Sequence, residues 1–91
     1  MADECYKYLV LTMDRIKDAE CAPLKEMVEP AFTMAKQYAL GVESKCAIPL
    51  KETLEEIERG ISAAKRGDWR EAGIAAAIAR LNLLKEVKGE K

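Results

Sequence analysis

The sequence predicts an all-α fold, an up-down antiparallel four-helix bundle that forms a single domain over residues 1–91. Apolar residues recur at spacings of three and four along most of the chain, which is the period of an α-helix. Pro23, Pro49 and Gly67 fall at the ends of these periodic segments, where helices begin and end. The 91 residues are 49% hydrophobic, which is enough for one small core.

The first helix is expected at about residues 4–19. Tyr6, Leu9, Met13 and Ile16 lie on one helical face. Asp3 is a suitable N-cap because its side chain can accept a hydrogen bond from the first turn.

The second helix is expected at about residues 23–43. Pro23 suits the first helical position, where no intrahelical hydrogen bond is lost. Pro30 conflicts with a continuous helix because proline removes one backbone donor and crowds the preceding turn. The apolar period continues through it, so we predict a kink at Pro30, with a full break as the alternative.

The third helix is expected at about residues 49–66, opened by Pro49 and ended by Gly67. Gly60 inside it costs about 1 kcal/mol relative to alanine. Its presence therefore predicts that the backbone of a neighbouring element approaches closely.

The fourth helix is expected at about residues 69–87. Asp68 is the predicted N-cap, and Glu71 completes a capping box. Residues 72–79 are apolar on every side, and a helix that is apolar all round is normally buried all round. The sequence therefore predicts that a second subunit covers this helix through small residues and an aromatic at its start: Trp69, Gly73, Ala76, Ala77 and Ala79. The alternative is that the alanines only favour helix formation.

The three cysteines lack the spacing of a zinc or redox motif. Cys21 and Cys46 flank the second helix and lie roughly 30 Å apart, too far for a disulfide. Cys5 begins the antiparallel first helix and lies nearer to Cys46, although the first helix is the shorter one. Three reduced thiols are the favoured interpretation, and a Cys5–Cys46 disulfide is the alternative.

Four glutamates carry the enzyme alternative. Glu26–Glu29 and Glu55–Glu58 are Glu-x-x-Glu pairs on neighbouring helices, and their carboxylates could hold Mg²⁺ against a phosphate group. The pattern resembles that of the all-helical nucleoside triphosphate pyrophosphatases of the MazG type, except that the last position here is Glu rather than Asp. The resemblance implies Mg²⁺-dependent hydrolysis of nucleotides.

Composition excludes several function classes. The chain has no histidine, which excludes serine–histidine and cysteine–histidine nucleophile systems and imidazole metal ligands. The formal net charge of −1 argues against a strongly basic nucleic-acid binder. A weak nucleic-acid interaction through the mildly basic C-terminal third is the second alternative; it would use Lys65, Arg66, Arg70, Arg80, Lys85 and Lys88.

The sequence thus favours a small non-enzymatic interaction module that forms a homodimer or higher oligomer through the fourth helix, with no cofactor. An unidentified protein partner is the alternative to self-association. No membrane-spanning segment or secretory signal is visible, so we expect a cytoplasmic protein. Only one Asn and one Gln occur among many charged residues, a composition associated with thermophiles.

Overall fold

The computed structural model describes residues 2–89, and the predicted all-α bundle is confirmed. The four helices are α1 (Ala2–Glu20), α2 (Val28–Cys46), α3 (Lys51–Lys65) and α4 (Trp69–Lys88). The described residues contain no strand. α1 packs against α2 and α4, and α3 packs against the same two helices, so each helix has two neighbours.

The second helix differs from the prediction at its start. A 3-10 helix (Lys25–Met27) precedes α2, which begins at Val28 rather than at residue 23. Pro30 therefore lies in the first turn of α2, not at a kink within a longer helix. The first N–H groups of a helix have no intrahelical acceptor, so proline is tolerated there.

The core lies between all four helices. Its largest fully buried apolar side chains are Phe32, Ile16, Leu50, Ile57 and Val42. The prediction that a backbone approaches Gly60 is wrong in detail, because a side chain occupies that space. A Cβ atom added at Gly60 would lie 2.3 Å from the ring of Phe32. Glycine on α3 therefore makes room for the aromatic ring of α2.

Two carboxylates from other helices hold the N-terminus of α3. Glu86 on α4 accepts hydrogen bonds from the backbone N–H groups of Glu52 (3.0 Å) and Thr53 (2.9 Å), and from the hydroxyl of Thr53 (2.6 Å). Glu43 on α2 accepts from the N–H of Leu50 at 2.8 Å. The N-terminus of a helix has unpaired N–H donors and a partial positive charge, so both acceptors stabilise it.

The connection between α3 and α4 forms half of the predicted capping box. The Asp68 side chain accepts a hydrogen bond from the N–H of Glu71 at 3.1 Å. The Glu71 carboxylate binds Arg59 instead of returning to the N–H of Asp68, which donates to Ala63. The hydrogen bond from Arg59 to Glu71 raises the pKa of the arginine, which stays charged.

A disulfide joins α1 to α2 at the opposite end of the hairpin from residues 21–27. The Cys5 and Cys46 sulfur atoms are bonded, and the Cα atoms are 5.0 Å apart. The structure thus differs from the favoured interpretation of three reduced thiols. The reason lies in helix length: α1 and α2 both have 19 residues, so their ends meet. Ala47, directly after the disulfide, has a left-handed backbone with φ of 55°.

Candidate functional site

The side of α4 that faces solvent is apolar over most of its length. Ile74 is 42% exposed, Leu81 51% and Leu84 45%. Single exposed apolar residues are ordinary on protein surfaces, whereas several on one face of one helix are a feature of interaction surfaces. The other exposed large apolar residues in the described chain are distributed over α1, α2 and the segment between them.

These residues belong to a regular row that we call the α4 seam. The seam contains basic residues at both ends and apolar residues between them: Arg70, Ile74, Ala77, Leu81, Leu84 and Lys88. The steps between successive members are four, three, four, three and four residues. This is the spacing of core positions in a two-stranded coiled coil, where such a row faces a partner helix. In this bundle no other described helix covers it, since the seam lies on the side away from the core.

The predicted interface residues lie on different sides of α4. Ala76 and Ala79 are 0% exposed in the core, so a second copy could not contact them while the bundle is intact. Trp69 is half-buried and packs against the core cluster. Gly73 and Ala77 are half-buried, and nothing lies within 4 Å of a Cβ added at Gly73.

Ile74, Leu81 and Leu84 were not identified from the sequence as interface residues. The prediction treats residues 72–79 as apolar all round and stops there, so it does not separate the faces of α4. In the structure Ala72, Ala75, Ala76 and Ala79 line the inner face of that segment, Ile74 is exposed on the outer one, and Leu81 and Leu84 continue the outer face beyond residue 79. The regular spacing from Arg70 to Lys88 is a sequence signal that distinguishes them.

The four glutamates of the enzyme alternative do not form a metal-binding group in the described part of the chain. Within residues 2–89, no three acidic or cysteine side chains come together in a way that could hold a metal ion. Glu26 lies in the 3-10 helix and Glu29 in the first turn of α2, so the first pair does not share one regular helix. Glu55 is exposed, and Glu58 forms an ion pair with Lys36 of α2.

The basic residues of the C-terminal third are divided between distant places. Lys65, Arg66 and Arg70 lie at the connection between α3 and α4, and Lys85 and Lys88 lie at the other end of α4. Arg80 forms an ion pair with Glu20 of α1 at 3.1 Å. Arg70 and Lys88 are 18 positions apart, which is about 27 Å along a helix, so these groups do not form one basic patch.

A pocket of about 390 Å³ lies between the end of α1 and the start of α2. Its lining includes the apolar side chains of Met27 and Met34, the exposed thiol of Cys21, and the charged side chain of Arg15. Arg15 forms an ion pair with Asp18 at 3.1 Å, while its Nε–H is buried and has no hydrogen-bond partner within residues 2–89. The lining mixes basic, acidic and apolar side chains, so it does not select one class of ligand.

No protein-family model, curated protein or solved structure matches this chain. None of the helices in the described part of the chain combines the length and apolar content needed to cross a membrane.

Proposed function

We propose that this chain is a small helical interaction module that associates with a second copy of itself through the α4 seam. The observation that carries the proposal is the row of half-exposed apolar side chains at coiled-coil spacing on the outer side of α4. A row with this spacing can bury its side chains against another helix, which removes apolar area from water.

The expected strength of the dimer follows from the exposure of the seam. Ile74, Leu81 and Leu84 are each about half exposed, and full burial of such a side chain contributes roughly 1.5–3 kcal/mol. Six side chains, three from each copy, bury only their exposed half on association, so together they contribute about 5–9 kcal/mol. Association costs at least about 4 kcal/mol in lost translational and rotational freedom. The difference corresponds to a weak dimer, with a dissociation constant on the order of 0.2 mM or higher.

Translational diffusion by NMR, measured from about 20 μM to 2 mM, brackets ~0.2 mM, which is the favourable end of that estimate and the strength that the proposal requires within a factor of about ten. We expect the apparent mass to rise from the 10.1 kDa monomer towards twice that value. A constant monomer mass at the highest concentration would contradict the proposal.

Leu81→Glu tests which surface associates. Leu81 is 51% exposed, so a carboxylate there leaves the bundle folded but prevents burial of the seam. Leu40→Glu is the matched control, because Leu40 is a leucine of similar exposure (45%) on α2. Association should be lost in the first variant and kept in the second. Ala76→Glu is unsuitable for this test, because Ala76 is fully buried and the variant would unfold.

A further inference from the structure

The spacing of the α4 seam is the same when it is read from either end. The steps of four, three, four, three and four residues are symmetric about a point near position 79. Two copies of α4 that run in opposite directions, related by a two-fold axis at that point, therefore bring seam residues opposite one another along the whole row. Ile74 then faces the partner's Leu84, and Ala77 faces the partner's Leu81.

The sizes of the side chains favour this antiparallel arrangement over a parallel one. Each small Ala77 faces a large leucine of the partner, so the layers at the centre are filled evenly, as in natural cores where large and small residues alternate. In a parallel pair, Ala77 would face the partner's Ala77 and leave a void beside a layer of two leucines. Opposed helix dipoles also favour antiparallel neighbours.

We propose, on the basis of the self-association argued above, that the partner of α4 is α4 of a second copy in antiparallel orientation, centred near position 79. The interface is then isologous and closed, so assembly stops at the dimer. Exposed basic residues at both ends, Arg70 and the partner's Lys88, face each other in this arrangement.

Disulfide crosslinking distinguishes the two orientations. Single variants Ile74→Cys and Leu84→Cys are made with Cys21→Ser, because the exposed thiol of Cys21 would crosslink by itself. In the antiparallel pair, two copies of position 74 are separated by about 15 Å along the helix axis. That distance exceeds the ~7 Å limit between the Cα atoms of a disulfide. Positions 74 and 84 of different copies lie side by side.

We expect mild oxidation of a mixture of the two variants to give severalfold more covalent dimer than oxidation of either variant alone. The chain with Cys21→Ser alone is the control and should give none. Strong crosslinking of each variant with itself would show a parallel pair and overturn the antiparallel proposal. If no sample gives a covalent dimer while diffusion still reports a dimer, the dimer does not form through α4, and the proposed interface is wrong. A monomer by diffusion would overturn the proposed function itself.

Lys88→Glu gives an independent measurement of orientation without crosslinking. In the antiparallel pair the new carboxylate faces the partner's Arg70 at both ends, so the dissociation constant should fall severalfold at low salt. In a parallel pair the two new carboxylates would face each other, and no such gain would appear. Lys65→Glu, on exposed α3 surface outside the seam, is the control for the change in net charge. An unchanged or increased dissociation constant in Lys88→Glu would contradict the antiparallel arrangement.

Discussion

Gly60→Ala and Gly73→Ala add the same methyl group to two helices and should change the free energy of unfolding in different ways. Both gain about 1 kcal/mol from the better helix propensity of alanine. At Gly73 nothing lies within 4 Å of the new Cβ atom, so the whole gain is expected as added stability. At Gly60 the new atom would lie 2.3, 2.5 and 2.7 Å from three ring carbons of Phe32. That ring is 0% exposed and has no open space to enter.

Overpacking of this kind costs typically about 1–3 kcal/mol. Gly60→Ala should therefore leave stability unchanged or lower it by up to about 2 kcal/mol, once the propensity gain is included. The propensity contribution cancels in the comparison, so the two variants should differ by about 1–3 kcal/mol. This difference isolates the effect of the contact with Phe32.

Urea unfolding followed by far-UV circular dichroism measures both values. Protein at low micromolar concentration keeps the chain monomeric, so that association through α4 does not contribute. Phe32→Leu in the Gly60→Ala chain should cost less than Phe32→Leu alone, because the shorter side chain relieves the overlap. Equal stabilisation by Gly60→Ala and Gly73→Ala would refute the reasoning.

Three further predictions concern the ends of helices. Reduction of the Cys5–Cys46 disulfide should lower the free energy of unfolding by about 4 kcal/mol in the chain-entropy model, given its separation of 41 residues. Thiol titration of the denatured, unreduced protein should find one reactive thiol, and three would contradict the disulfide. Ala47→Gly should raise the free energy of unfolding by about 1 kcal/mol, and with it the urea midpoint, because glycine adopts the left-handed conformation of residue 47 without steric cost. An unchanged midpoint would contradict this prediction. Glu86→Ala should lower the free energy of unfolding by about 2 kcal/mol, because Thr53 loses its hydrogen-bond acceptor, and Glu86→Gln should have an intermediate effect. Wild-type stability in Glu86→Ala would show that these hydrogen bonds at the start of α3 do not stabilise the fold.

The helices could be predicted from the sequence because their apolar residues repeat with the helical period. The third and fourth helices match within a few residues, and Asp68 caps α4 as expected. The start of α2 could not be predicted in this way, because the apolar period continues through a segment that adopts a 3-10 conformation. Periodicity reports which residues face one side, and it does not distinguish the two helix types over three residues.

Contacts between distant elements were the main features that the sequence left open. Glu86 lies 33 residues after Thr53 in the chain, and no local sequence pattern indicates that the two residues form a hydrogen bond. Likewise, a glycine inside α3 signals a close neighbour, but only the structure identifies it as the ring of Phe32. Two of the interface residues expected on α4, Ala76 and Ala79, lie on its buried face, because helical spacing does not say which face the bundle buries.

The Cys5–Cys46 disulfide also determines how the chain would respond to mechanical force. Force applied between the two termini passes directly from α1 to the end of α2 through the sulfur atoms of Cys5 and Cys46, which are 41 positions apart, so the segment between them carries no load. About 140 Å of contour length is thereby withheld from extension, at roughly 3.4 Å per residue. Only α3, α4 and the few residues before Cys5 can be pulled out while the bond is intact. In the oxidised protein, the α1–α2 hairpin is consequently a mechanically protected unit, and the helix with the exposed seam belongs to the extensible part.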